Sequence, residues 1–299
     1  MALVVSFFTS MGGVSGAVLL LPFQMSVLDY TTPSVSATNQ LFNVVAIPSG
    51  VLRYIREGRM VWPLTWVVIL GTVPGVLIGA IVRAAYLPDP RAFKLFASAV
   101  LLYIGSRMIR DLLWSRQGEA SGGAREEARL REPMPKYQGR RQDGQLISAV
   151  VIRGFSPSRI RYEFCGEEHE LTTVGIFALS FAVGIVGGIY GIGGGAIIAP
   201  FLVTFFGLPV YIVAGAALMG TFVTSVAGVG FYLAIAPLFP EQSISPDWLL
   251  GLLFGLGGAV GMYLGARCQK YVSARLIKGM LAAILLFTAG KYVVEFLHG

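Results

Sequence analysis

Eight long apolar runs separated by short polar or basic breaks fill most of this chain, and they dictate the solvent in which it folds. A single soluble core of 299 residues could not bury that much apolar surface: hydrophobic residues make up 55% of the chain, charged residues 13%, and mean hydropathy is +0.71. The chain is therefore expected in a lipid bilayer. The formal charge of +7 has its basic residues at the ends of apolar runs, which is the pattern of membrane orientation rather than of nucleic-acid binding. The two cysteines, Cys165 and Cys268, have no CxxC or Cys/His neighbours and read as free thiols.

Charge divides the chain into three parts. Residues 1–114 form a first apolar half, residues 115–171 a polar linker, and residues 172–299 a second apolar half. The linker holds ten Lys/Arg and nine Asp/Glu, together with Gly122-Gly123 and Pro133-Met134-Pro135, so it belongs in water. Within it, Ile147–Ile152 and Arg159–Phe164 are β-prone runs flanking Gly154–Ser158, a pattern that suggests a small hairpin.

Six apolar runs, near 35–56, 61–86, 91–114, 210–237, 247–270 and 273–297, are long enough to span a bilayer as helices of about 20 residues. Runs 1–28 and 172–207 differ, because glycines interrupt both: Gly12-Gly13 and Gly16 in one, and Gly187-Gly188, Gly191 and Gly193-Gly194-Gly195 in the other. Each half of such a run, at about 11 to 15 residues, should reach about half way across. The opening run is not expected to be a cleavable signal peptide, since no basic residue precedes it.

The halves also resemble each other. An offset of 178 pairs Pro22-Phe23 with Pro200-Phe201, Gly16 with Gly194 and Tyr54 with Tyr232; offsets of 186 and 184 pair Gly75 with Gly261, Gly79 with Gly265, Lys94 with Lys278 and Asp111 with Glu295. The fold class expected is all-α and polytopic, with two pseudo-symmetric repeats, each a glycine-broken re-entrant or half-helix segment plus three transmembrane helices. An inverted arrangement puts Arg53, Arg56, Arg59, Arg107, Arg110, Arg116, Arg267, Lys270, Arg275 and Lys278 on one side, and Arg83, Arg91, Lys94 and Lys291 on the other. A parallel arrangement divides the same charges evenly. The positive-inside rule favours inversion, with the linker cytoplasmic and both termini outside, although the parallel alternative stays open.

Three consecutive glycines cost a helix about 1 kcal/mol each relative to alanine, so Gly193, Gly194 and Gly195, with Ala196 after them, suggest an unwound stretch followed by a fresh helix start. Backbone donors at such a start suit an anion. Gly12, Gly13, Ser15 and Gly16 form the weaker twin; close helix packing is the competing explanation for both sets. Neutral polar residues supply a second layer of candidate ligands: Asn39, Gln40 and Asn43 after the first break, and Thr221, Thr224 and Ser225 in the matching stretch. Interhelical hydrogen bonding is their alternative role. No Asp, Glu or His lies near the middle of a span, so neither a proton relay, an enzyme site nor a metal or cofactor site is expected.

The segment Gly191-Ile192-Gly193-Gly194-Gly195-Ala196-Ile197-Ile198-Ala199-Pro200, with the pairs Gly75/Gly79 and Gly261/Gly265, resembles the signature of the TauE/SafE-type sulfite exporter family of permeases. The resemblance spans both apolar halves. It implies a bacterial or archaeal cytoplasmic (inner) membrane transporter that exports sulfite, an organosulfonate or a related small anion, and rocking of the two repeats would give that transporter alternating access. Its partners would be that anion and the lipid bilayer, not nucleic acid. A homo-oligomer is compatible with the sequence, and any partner of the linker is unidentified. A chloride-like channel and a membrane scaffold acting through the linker are the rival functions.

Overall fold

The computed structural model describes residues 1–11, 15–56, 60–114, 150–155, 159–164, 167–206, 208, 210–268 and 274–298. Gly12, Gly13 and Cys165 lie outside them. Six helices run through the first half: α1 (Ala2–Met11), α2 (Ala17–Val27), α3 (Ser34–Ala46), α4 (Pro48–Arg56), α5 (Trp62–Ala85) and α6 (Pro90–Trp114). Five run through the second: α7 (Thr173–Tyr190), α8 (Gly194–Phe206), α9 (Val210–Ile235), α10 (Trp248–Cys268) and α11 (Ala274–His298). The protein is thus a multi-pass, all-α membrane protein, with three short strands between its halves among the described residues. Among the described residues six helices, α5, α6, α7, α9, α10 and α11, are long and apolar enough to cross a bilayer.

Two lengths differ from expectation. The run 35–56 is two helices, because Pro48 has no N–H to continue the ladder and its ring crowds the preceding turn. Ile47 nevertheless keeps helical torsions (φ −77°, ψ −30°), so the path is kinked rather than redirected. The first arm of the second broken run is also longer than anticipated: α7 has 18 residues, about 27 Å at 1.5 Å per residue, and can cross by itself. Gly184, Gly187 and Gly188 do not stop it. Only Gly191, at φ +83°, ends the helix, where its N–H donates to the Gly187 carbonyl at 2.9 Å.

Between the halves, β1 (Val150–Phe155), β2 (Arg159–Phe164) and β3 (Glu167–Thr172) form an antiparallel sheet in the order β1-β2-β3. Pairing shifts between Ile152 and Gly154, as a bulge. The third strand, Glu-Glu-His-Glu-Leu-Thr, carries no apolar alternation by which a sequence reading could find it.

Small residues set the helix packing. The Cα face of Gly75 lies against the backbone of Phe181–Ile185 in α7, and that of Gly79 against Ile185–Ile189. From the other side, Gly184 and Gly188 lie against the backbone at Thr72 and Val76 of α5. The other half repeats this with roles exchanged: Gly261 and Gly265 of α10 lie against the backbone at Leu3 and Phe7 of α1. Elsewhere, too, the packing is exchanged, since α5 packs on α9 as α10 packs on α3, while α6 meets α11 and α3 meets α9. Such backbone-to-backbone crossings maximise dispersion contacts where lipid provides no hydrophobic drive.

Candidate functional site

Helix α3 carries its polar residues on one face. Ser36, Asn39, Gln40 and Asn43 fall at i, i+3, i+4 and i+7, and all four are fully buried. That face meets both glycine breaks. Asn43 joins them directly: its Nδ2–H donates to the Ile192 carbonyl at 3.0 Å, and its Oδ1 accepts from the Ser15 hydroxyl at 3.1 Å. Asn39 donates to the Ala17 carbonyl at 3.0 Å, and Ser36 to the Ile189 carbonyl at 3.0 Å. At the crossing of the two segments the Tyr190 hydroxyl donates to the Val18 carbonyl at 3.0 Å.

The two breaks are not equivalent. In the first, the Ala17 N–H donates to Ser15 Oγ at 3.3 Å, while the Val18 and Leu19 N–H groups bond back to the Ser15 and Gly16 carbonyls. Donors at the start of α2 are therefore taken up locally. In the second break, Gly193 adopts φ +74°, which frees the chain to start α8 at Gly194. The N–H groups of Gly193, Gly194 and Gly195 have no hydrogen-bond partner among the described residues.

The side chains around that helix start explain the individual glycines. A Cβ on Gly194 would lie 2.7 Å from the Thr72 methyl, and one on Gly195 would lie 2.6 Å from Thr221 Oγ1, so these two glycines allow α5 and α9 to press against the turn. Thr221 and Thr224 bond their own helix, at the Ala217 and Gly220 carbonyls (2.8 and 2.6 Å), and direct no free hydroxyl at the break. Ser225 differs. Its hydroxyl is fully buried, has no partner, and lies 3.0 Å from where a Gly193 Cβ would be.

Gln40 is the second unsatisfied group. Neither amide atom has a partner, although the side chain is fully buried against Gly228, one turn along α9 from Ser225. Asn39 Oδ1 is also unpartnered. A buried polar atom left unpaired costs about 1–3 kcal/mol, so each of these groups has room for a polar partner. The free groups are the N–H donors of Gly193–Gly195, the Ser225 hydroxyl and the Gln40 amide, all neutral. Among the described residues no group of three or more His, Cys, Asp or Glu could hold a metal ion.

Of the sequence candidates, Ser15, Gly16, Asn39, Asn43, Gly193, Gly194, Gly195, Thr221 and Ser225 converge on the two breaks, Gln40 lies at Gly228, one turn along α9 from Ser225, and Thr224 bonds its own helix. Gly12 and Gly13 fall outside the described residues, and Ala196 contributes its backbone to the first turn of α8. Sequence reasoning missed Ser36, which the same i, i+3, i+7 spacing could have revealed. It also missed Tyr190 and Tyr232, whose aromatic character disguised them as ordinary apolar residues in a span.

Comparison with known proteins is consistent with this architecture. A family model described as sulfite exporter TauE/SafE matches residues 1–292. The chain is 21% identical over 296 residues to the probable membrane transporter protein YunE of Bacillus subtilis (strain 168), covering 96% of this chain and 92% of that one. It is 28% identical over 114 residues to the probable membrane transporter protein YdhB of the same organism, covering 38% of this chain and 43% of that one. No solved structure matches.

Proposed function

Since the chain belongs to the sulfite exporter TauE/SafE family and is a membrane transporter, we propose that its cargo is a small sulfur oxyanion, sulfite or an organosulfonate, held where α8 begins. The observation that carries this reading is the set of unsatisfied neutral donors at one buried helix start: the Gly193, Gly194 and Gly195 N–H groups, Ser225 and Gln40. A helix N-terminus presents about half a positive charge, and oxyanion oxygens accept hydrogen bonds from several directions. Neutral donors suit a site that must both bind and release its anion. Asn43 acts as a positioning residue that ties the Ile192 carbonyl to Ser15.

Alternating access follows if one repeat rocks against the other about the Asn43 link. In the inverted arrangement the linker is cytoplasmic and the membrane is the inner one. A negative interior then favours export of an anion by about 2.3 kcal/mol per charge at 100 mV.

Sulfite flux in proteoliposomes tests the reading. Saturable flux with counterflow, lost in Gln40→Leu, is the expected result. Linear flux without counterflow indicates a channel, and undiminished flux in Gln40→Leu removes the glycine site from consideration. Gly194→Leu is a poor probe, because a side chain there would collide with Thr72 and Gly184 and damage packing.

A further inference from the structure

Arg83, near the end of α5, is fully buried. Its guanidinium donates to the Leu87 carbonyl and, at 3.4 Å, to the Thr31 carbonyl, and it lies 3.8 Å above the centre of the Phe93 ring. These partners are all neutral. No carboxylate among the described residues pairs with it, and its Nε–H has no partner. A buried guanidinium with no counter-ion costs several kcal/mol, and carbonyl dipoles and one ring face offset only part of this.

The unpaired charge has a specific neighbour. Tyr232 of α9 is fully buried, its hydroxyl makes no hydrogen bond, and it belongs to the cluster that holds Ala84, the residue next to Arg83 on α5. The same ring packs among Ala80, Ala84 and Ala37, which brings α5, α9 and α3 together at this level. Position matters as much as charge. Tyr232 follows Ser225 by seven residues, on the same face of α9 and about 10 Å along it. Ser36 precedes Gln40 by one turn on the polar face of α3 and bonds the Ile189 carbonyl at the second break. Polar groups therefore follow one another along α3 and α9: Ser225, then Gln40 at Gly228, then Ser36 and Tyr232 a turn further along their helices, with Arg83 beyond them.

We infer that Arg83 and the Tyr232 hydroxyl form a second binding site for the transported oxyanion, one step along the path from the glycine break. The guanidinium supplies the countercharge and its free Nε–H, and the phenol supplies a neutral donor. An anion passing from the Gly193–Gly195 donors to Arg83 crosses about two turns of α9 and meets polar groups throughout. This inference rests on the glycine site being the central one, and the two can be tested separately.

Equilibrium binding of radiolabelled sulfite to the full chain in lipid nanodiscs reads both. Arg83→Gln keeps a donor for the carbonyls but loses the charge, and is expected to bind one sulfite fewer than wild type, with Arg83→Lys restoring it. Gln40→Leu is expected to lose the other. Wild-type stoichiometry in Arg83→Gln overturns the second site, as does an equal loss in Arg83→Lys; wild-type stoichiometry in Gln40→Leu instead overturns the glycine site. If Arg83→Gln does not yield monodisperse protein, Tyr232→Phe decides. It removes no existing hydrogen bond, so a structural role predicts unchanged sulfite affinity at this site, whereas a ligand role predicts a loss of threefold or more.

Discussion

Single residues at the break fall into those already satisfied and those waiting for a partner, and substitutions should separate the two. Asn43→Leu removes both links between the breaks and strands the Ile192 carbonyl, which should cost about 1–3 kcal/mol. Thermal unfolding in detergent should therefore show a lower melting temperature, and sulfite flux should fall with it. Ser225→Ala removes an unpartnered hydroxyl, so the melting temperature should stay or rise while sulfite affinity falls several-fold. A parallel fall in both would mean that Ser225 is structural. Gly191→Ala would combine φ +83° with a collision at the Ser36 backbone, and it should lower the melting temperature more than Asn43→Leu does. At this scale the sequence identified Asn39, Gln40, Asn43 and Ser225 as candidates, because amides and hydroxyls within apolar runs are conspicuous. It could not say which would be satisfied. Thr224 and Ser225 are adjacent and chemically alike, yet one bonds the Gly220 carbonyl and the other faces Gly193, a difference set by about 100° of helical rotation. Arg83 shows the same limit, because its burial is set by the folded chain. A basic residue at the end of a span looks like an orientation signal until its surroundings show it to be sealed.

For the helices, the decisive contacts are backbone against backbone. Gly261→Val puts a branched side chain where the Leu3 carbonyl of α1 now sits, and this should prevent recovery of monodisperse protein by size-exclusion chromatography. Gly290→Ala is the matching control. No atom lies within 4 Å of a Cβ placed there, so the change should be neutral or stabilise α11 by up to about 1 kcal/mol. Most helices were legible as apolar runs of membrane length, since hydropathy and charge breaks report directly on solvent. Two features were not. Pro48 divides a run whose hydropathy is continuous, and Gly184, Gly187 and Gly188 sit inside an intact helix because α5 and the start of α8 cover their bare faces. Glycine in a membrane helix can signal either a break or a crossing. Hydropathy alone does not distinguish them, whereas the positive φ at Gly191 and Gly193 does.

At the scale of the whole molecule, each broken segment is clasped by the other half: α1 lies on α10, and α7 lies on α5. The proposed inverted orientation predicts that Cys165 and Cys268 share the cytoplasmic face. Neither single-cysteine variant should then react with an impermeant maleimide in intact cells, and both should react after permeabilisation. Labelling of just one from outside would sink the inverted arrangement. The exchange of partners also bears on how the protein is made. During synthesis α1 leaves the ribosome long before the surface it packs against, at Gly257, Gly261 and Gly265. Until then the face of α1 at Leu3 and Phe7 waits in the bilayer without its partner, so the insertion machinery has to shelter an unfinished half.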